Sequence, residues 1–194
     1  MASVKLRRDE RREQLLAVAW SILDAEGADS LTLGRLAERA GISKPVVYDH
    51  FPSRPALLVA LYREFDVQQT QKLRRSLADA EFTLGAQAAA IAQSHVDCVV
   101  AHGRELSGVL GALEGSPDLE QLKRDAEAAY IELCRRALNP FAAMSTVPTA
   151  SMIAIIGAAE ALSQAAARRS LPSEEAVTGL TGIITAIVVQ QGGN

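Results

Sequence analysis

The chain has 194 residues, a formal net charge of −3 and only 4% aromatic residues. That length suits one or two domains with a substantial core, and so few aromatics make the core aliphatic and Ala-rich, which favours helix packing over sheets. The acidic balance excludes a globally basic nucleic-acid binder, and two cysteines, Cys98 and Cys134, are too few for a disulfide scaffold.

Positive charge is local at the start: Lys5, Arg7, Arg8, Arg11 and Arg12 cluster there, and are read as phosphate-contacting charge. Met-Ala-Ser-Val-Lys lacks the apolar centre of a signal peptide. A first helix is predicted from about Asp9 to Glu26, because Leu16, Ala19, Trp20 and Leu23 fall on one stripe and Gly27 follows. Trp20 is read as a core anchor.

Residues 31–58 carry the most informative pattern. Thr32 is placed to cap a short helix whose apolar face is Leu33, Leu36, Ala37 and Ala40. Gly41 ends it, as a left-handed residue does, and Ile42 plugs the turn. Ser43 is expected to cap a second helix with Pro45 in its first turn. Val47 and Phe51 face back, leaving Lys44, Val46, Tyr48, Asp49 and His50 outward. Helix, Gly-containing turn and short second helix make the helix-turn-helix pattern, whose second helix enters the DNA major groove. Ser53 caps a fourth helix with an apolar stripe of Leu57, Leu58, Leu61, Tyr62 and Phe65 and a polar far end.

The string Ala-Gly-Ile-Ser-Lys-Pro-Val-Val-Tyr-Asp-His-Phe-Pro-Ser-Arg resembles the DNA-binding domain of the tetracycline-repressor (TetR) family. Gly41, Ser43, Val47, Tyr48, His50, Phe51 and Arg54 fit the family pattern in order and without gaps. The close resemblance covers about residues 10–62. It implies a phosphate contact for Tyr48, a basic phosphate clamp at Arg54, and a fourth helix that links head to body. From the residues themselves, the end of the helix that Thr32 opens suits a phosphate. Lys44 can donate to guanine, Pro45 and Val46 offer apolar contact to a thymine methyl, and His50 can donate to a base or phosphate. Asp49 either accepts from a cytosine amino group or points away. Gly34 leaves no side chain for base readout.

Beyond residue 80 the pattern stays helical. Leu84, Ala88, Ile91, His95, Cys98, Val99 and His102 share one face of a helix predicted to end near Gly103, and Leu106, Val109, Leu110 and Leu113 form a shorter one ended at Gly115-Ser116-Pro117. Leu119 to Ala137 make another, stopped before Pro140. A loop spans Ala142–Thr149, and two strongly apolar helices, about 150–169 and 173–190, close the chain. The longest uncharged apolar stretch, Ala176–Val189, is shorter than the ~20 residues of a spanning helix, so a soluble, cytoplasmic setting without membrane is expected.

Two further sites are read in this second part. His95, Cys98 and His102 lie within about 60° of arc on one helix. Three readings stay open for them. They line an effector pocket with Val99, Leu106, Leu110, Tyr130, Cys134 and Met152; they hold a soft metal; or they are core histidines and a buried thiol. Ile155, Ile156, Ala159 and Leu162 on one closing helix and Leu180, Ile183, Ile184 and Ile187 on the other are read as a dimer surface, too broad for one neighbour to cover.

Together these features predict an all-α chain of about nine helices: a helix-turn-helix head (1–52), a linking helix (53–79) and an effector-binding and dimerisation bundle (80–194). The expected function is a homodimeric transcriptional regulator, a repressor released from a near-palindromic operator by a small molecule. No cofactor is expected. Ser94, His95 and Asp97 make no triad, since Asp97 projects away from His95, and no hydrolase motif is present, so no enzyme is expected.

Overall fold

The computed structural model describes residues 7–112, 117–143 and 145–190, apart from the side chains of Arg104 and Leu106. Eight α-helices occur among them: α1 (Arg8–Glu26), α2 (Leu33–Ala40), α3 (Lys44–His50), α4 (Arg54–Asp79), α5 (Leu84–Gly111), α6 (Pro117–Leu138), α7 (Thr149–Ala167) and α8 (Ser173–Gln190). Short 3₁₀ turns fill Ala28–Ser30 and Asn139–Phe141. No strand occurs among the described residues.

One boundary differs from expectation. Gly103 does not end a helix: α5 runs through it to Gly111 as a single 28-residue element. A glycine inside a helix costs roughly 1 kcal/mol but retains its N–H, so it weakens the helix without stopping it. The expected stop at Gly115-Ser116, with Leu113, lies outside the described residues.

The chain divides into two compact units. One runs to Phe65 and takes in residues 104–120; the other holds Asp66–Gly103 and the chain from Gln121 onward. Both α4 and α5 contribute to each.

The first unit closes on an aliphatic core. Leu15, Ala19 and Ile22 of α1, Leu36 of α2, Val47 of α3 and Leu57, Leu58 and Leu61 of α4 are fully buried, joined by Val109 of α5. Burying each of the leucine, isoleucine and valine side chains stabilises by roughly 1.5–3 kcal/mol. Trp20 sits half-buried at its rim, where its indole N–H donates to Glu64 Oε2 at 3.0 Å.

The second unit gathers Leu73, Ala88, Ile91, Cys134, Leu138 and Met152 around the packed pair α7 and α8. Here the expected dimer surface is corrected. Ile155, Ala159, Leu180 and Ile184 are no more than 2% exposed, inside the chain's own core, and Ile156, Leu162, Ile183 and Ile187 are half-buried. The largest aliphatics on each helix turn inward, because α7 and α8 bury more apolar surface against their own unit than a free face could. The outward residues include Ile153, Ala154, Gly157, Glu160 and Ala161 on α7 and Thr178, Gly179, Gly182, Ala186 and Val189 on α8. By length and composition α7 could cross a membrane, but it carries the exposed Glu160.

Candidate nucleic-acid interface

The turn between α2 and α3 is set by local chemistry. Thr32 caps α2, its hydroxyl accepting from the Arg35 N–H at 3.0 Å. Gly41 follows α2 with φ +66° and ψ +32°, a left-handed conformation that a side chain would strain. Its N–H and that of Ile42 return to the carbonyls of Glu38 and Ala37. Ser43 takes the N-cap backbone of α3, but its hydroxyl makes no cap bond, contrary to expectation. Pro45 has no N–H to offer, and the next one, Val46 N–H, already reaches the Ser43 carbonyl at 3.1 Å.

On this frame α3 presents an outward edge. Val47 is fully buried, whereas Ser43, Lys44, Pro45, Tyr48 and Asp49 are exposed, Tyr48 to 52%. Val46 and His50 are half-buried at the margins. Gly34 lies beside Lys44: a Cβ there would make ordinary contact, 3.6 Å from Lys44 Cε. Thr32, Lys44 and Tyr48 thus stand where a duplex could reach them.

The basic residues sit differently from expectation. The Arg54 guanidinium turns inward, its Nε donating to the Leu31 carbonyl and Nη2 to that of Ala28, both at 2.8 Å. It holds the approach to α2, which leaves only part of its fork for a phosphate. The N-terminal cluster is committed too. Arg7 pairs with Glu10 at 2.8 Å, lowering the Glu10 pKa. Arg11 donates to Gln14 at 2.6 Å. Arg8 and Arg12 donate to the Asp49 and His50 carbonyls at 3.4 and 3.1 Å, and Arg12 lies 4.7 Å over the Phe51 ring. Lys5 lies outside the described residues. Sequence reading took this run for free charge; no local signal marks an arginine whose partner lies 38 residues away. His50 feels the cluster: burial first, then Arg8, Arg12 and Arg11, lowers its pKa, against the pull of Asp49.

Residues 15–61 match the family profile of bacterial regulatory proteins, tetR family. The transcriptional activator FasR of Mycolicibacterium smegmatis is 37% identical over 73 residues, covering 38% of this chain and 33% of FasR. The class C tetracycline repressor protein from Escherichia coli is 43% identical over 51 residues, covering 26% of this chain and 23% of that protein.

Residues 15–61 carry the TetR-family DNA-binding region. The chain matches a third or less of either curated relative. Over nearly the whole chain it resembles a solved protein of unknown function from Rhodococcus sp. RHA1, at 27% identity and a TM-score of 0.78, covering 92% of this chain and 95% of that one. The helix-turn-helix within residues 15–61 is the part that the family match covers.

The expected effector residues divide. His95, Cys98, Tyr130, Cys134 and Met152 belong to the second unit. There His95 Nδ1 lies 3.1 Å from the Tyr130 hydroxyl, and the rings sit 5.8 Å apart. Burial pushes the Tyr130 phenol well up, with Cys134 beside it adding to the rise. It pushes the Cys134 thiol up to about 12 and the Cys98 thiol up to about 11. Among the described residues His95 Nε2 has no hydrogen-bond partner; Glu160 Oε2 stands 3.9 Å away, near enough to pair with a protonated imidazole, and His95 lowers the Glu160 pKa. The buried Ser163 hydroxyl has no hydrogen-bond partner among the described residues either. Val99 is half-buried and His102 exposed on the same helix. Leu110 packs instead in the core of the first unit, and the Leu106 side chain lies outside the described residues. Among the described residues no three His, Cys, Asp or Glu groups converge as metal ligands, which removes the support for the metal alternative.

Proposed function

We propose that this chain is a DNA-binding transcriptional regulator of the TetR family, working as a homodimer on a near-palindromic operator. The observation that carries the reading is the exposed edge of α3, with Lys44, Pro45, Tyr48 and Asp49 outward and Val47 fully buried behind them. Lys44 donates to guanine or phosphate, Pro45 and Val46 contact a thymine methyl, and Tyr48 and Thr32 fix the backbone. His50 donates at the margin, Asp49 selects against phosphate in its direction, and Ser43, unneeded as a cap, is available to a phosphate. Arg54 contributes through the approach to α2 and with what remains of its fork.

The second copy covers the small-residue face of α7 and α8. Its stripe of Gly157, Ala161, Gly179, Gly182 and Ala186 permits close helix approach, flanked by Ile153 and Val189, 62% and 60% exposed. A two-fold pair sets two recognition helices about one DNA turn apart. The regulator acts as a repressor, and a small, mostly apolar effector releases it by binding in the second unit. His95 Nε2 and Ser163 Oγ, which have no hydrogen-bond partner among the described residues, are the groups such a ligand would satisfy. DNA and effector then weaken each other's binding by the same factor. The setting is cytoplasmic, and the chain is a regulator, not an enzyme.

A mobility-shift titration on the DNA flanking the gene tests the central reading. Tyr48→Ala and Lys44→Ala are each expected to weaken binding by about 1–3 kcal/mol where they touch a base. A variant that lost only a phosphate contact lowers the log–log salt slope by about one. Binding unchanged by both variants and insensitive to salt would remove the assignment.

A further inference from the structure

The far end of α3 has an unusual support. A helix leaves its last carbonyls without intrahelical donors, and α3, at seven residues, has little other hydrogen bonding to lean on. The Val47 carbonyl receives the Phe51 N–H at 2.9 Å. The next turn never forms, because Pro52 cannot donate and forces Phe51 into extended backbone, φ −136° and ψ 101°. The Asp49 and His50 carbonyls are therefore left without donors from their own helix. No glycine in a left-handed conformation follows to fold the chain back over them.

Two guanidinium groups from α1 fill that role. Arg12 Nη1 donates to the His50 carbonyl at 3.1 Å, and its Cζ lies 4.7 Å from the ring centroid of Phe51, itself 1% exposed and part of the core. Arg8 Nη2 reaches the Asp49 carbonyl at a longer 3.4 Å. Both charges sit where the helix dipole favours a cation. Arg12 is fixed at two points, a carbonyl and a buried ring, and a planar fork can do this where a lysine ammonium cannot.

We propose that Arg12, assisted by Arg8, is a positioning residue that caps the recognition helix and sets the angle at which its edge is presented. Specificity depends on that angle, since base contacts must meet groove edges within hydrogen-bond distance, whereas phosphate attraction depends only on charge. The inference rests on the DNA-binding reading for its consequence, but the cap itself exists in the free protein.

Arg12→Lys keeps the charge and removes the two-point contact, and Arg8→Lys does the same at the weaker partner. In the full chain without DNA, hydrogen exchange at the amides of Tyr48 to Phe51 is expected to quicken at least tenfold in R12K, with those of Leu36 to Ala40 unchanged. Unchanged exchange in α3 overturns the cap. On a duplex selected from a random pool by the wild-type protein, R12K is expected to lose at least tenfold in affinity. On an unrelated duplex, affinity and salt slope stay the same. Equal losses on both duplexes would make Arg12 a phosphate contact and overturn the proposal. Circular dichroism establishes that R12K is folded; should it not fold, R8K carries the test, with a threefold or larger loss of specificity expected and none overturning it. If the wild-type chain selects no duplex, the DNA reading fails, while the exchange result still decides the cap.

Discussion

Each exposed position on α3 has one clear physical reason for its orientation, and the inward ones have several. Val47 and Phe51 are buried because they complete the aliphatic core; Lys44 and Tyr48 are out because nothing polar awaits them inside. His50 stands between, and its titration gives a prediction. Its folded pKa is lowered from the ordinary 6.5, first by burial and then by Arg8, Arg12 and Arg11. The unfolded chain therefore takes up this proton more readily than the folded one. The stabilisation is complete above about pH 6.5 and declines as acid carries the solution down through that value toward the folded one. His50→Gln should flatten the loss of stability between about pH 7 and pH 5, read as urea midpoints at each pH. A slope identical to that of wild type would show that folding does not lower the His50 pKa.

At the level of elements, the head was legible because its signals are short-range. A capping threonine, a left-handed glycine, an early proline and a buried valine lie within sixteen residues, and each acts on its neighbours. Ser43 failed as a cap for an equally local reason that could have been read from Pro45. The roles of Arg12 and Arg54 were not legible, because their acceptors are backbone carbonyls 38 and 23 residues distant, and a carbonyl has no residue type to recognise. Helix-to-helix approach was equally hidden. Gly108 of α5 passes so close to the 3₁₀ turn after α1 that a Cβ there would lie 3.0 Å from Ala28 Cβ. Gly108→Val should destabilise the chain by about 1–3 kcal/mol through overpacking, seen as a lower urea midpoint with unchanged slope. A midpoint at or above that of wild type would mean that the turn yields freely.

At the scale of the whole molecule, periodicity predicted that α7 and α8 carry wide apolar faces but could not say which side is satisfied within the chain. Both sides are apolar; the aliphatic side went inward and the small-residue side stayed out. If a second copy covers that outer side, Ala186→Arg should convert dimer to monomer in sedimentation at micromolar concentration and weaken operator binding with it. A dimer that survives this change uses another face. The same core has a practical consequence through Cys134. Its sulfur belongs to a residue with no exposed surface, and burial holds its thiol near pKa 12, so alkylating reagents that need a solvated thiolate meet none while the fold is closed. Carboxymethylation of Cys134, counted by mass against time, would therefore run as a clock for opening events. A small molecule seated beside Tyr130 should slow that clock in proportion to its occupancy, so candidate ligands could be ranked before any stretch of DNA has been found.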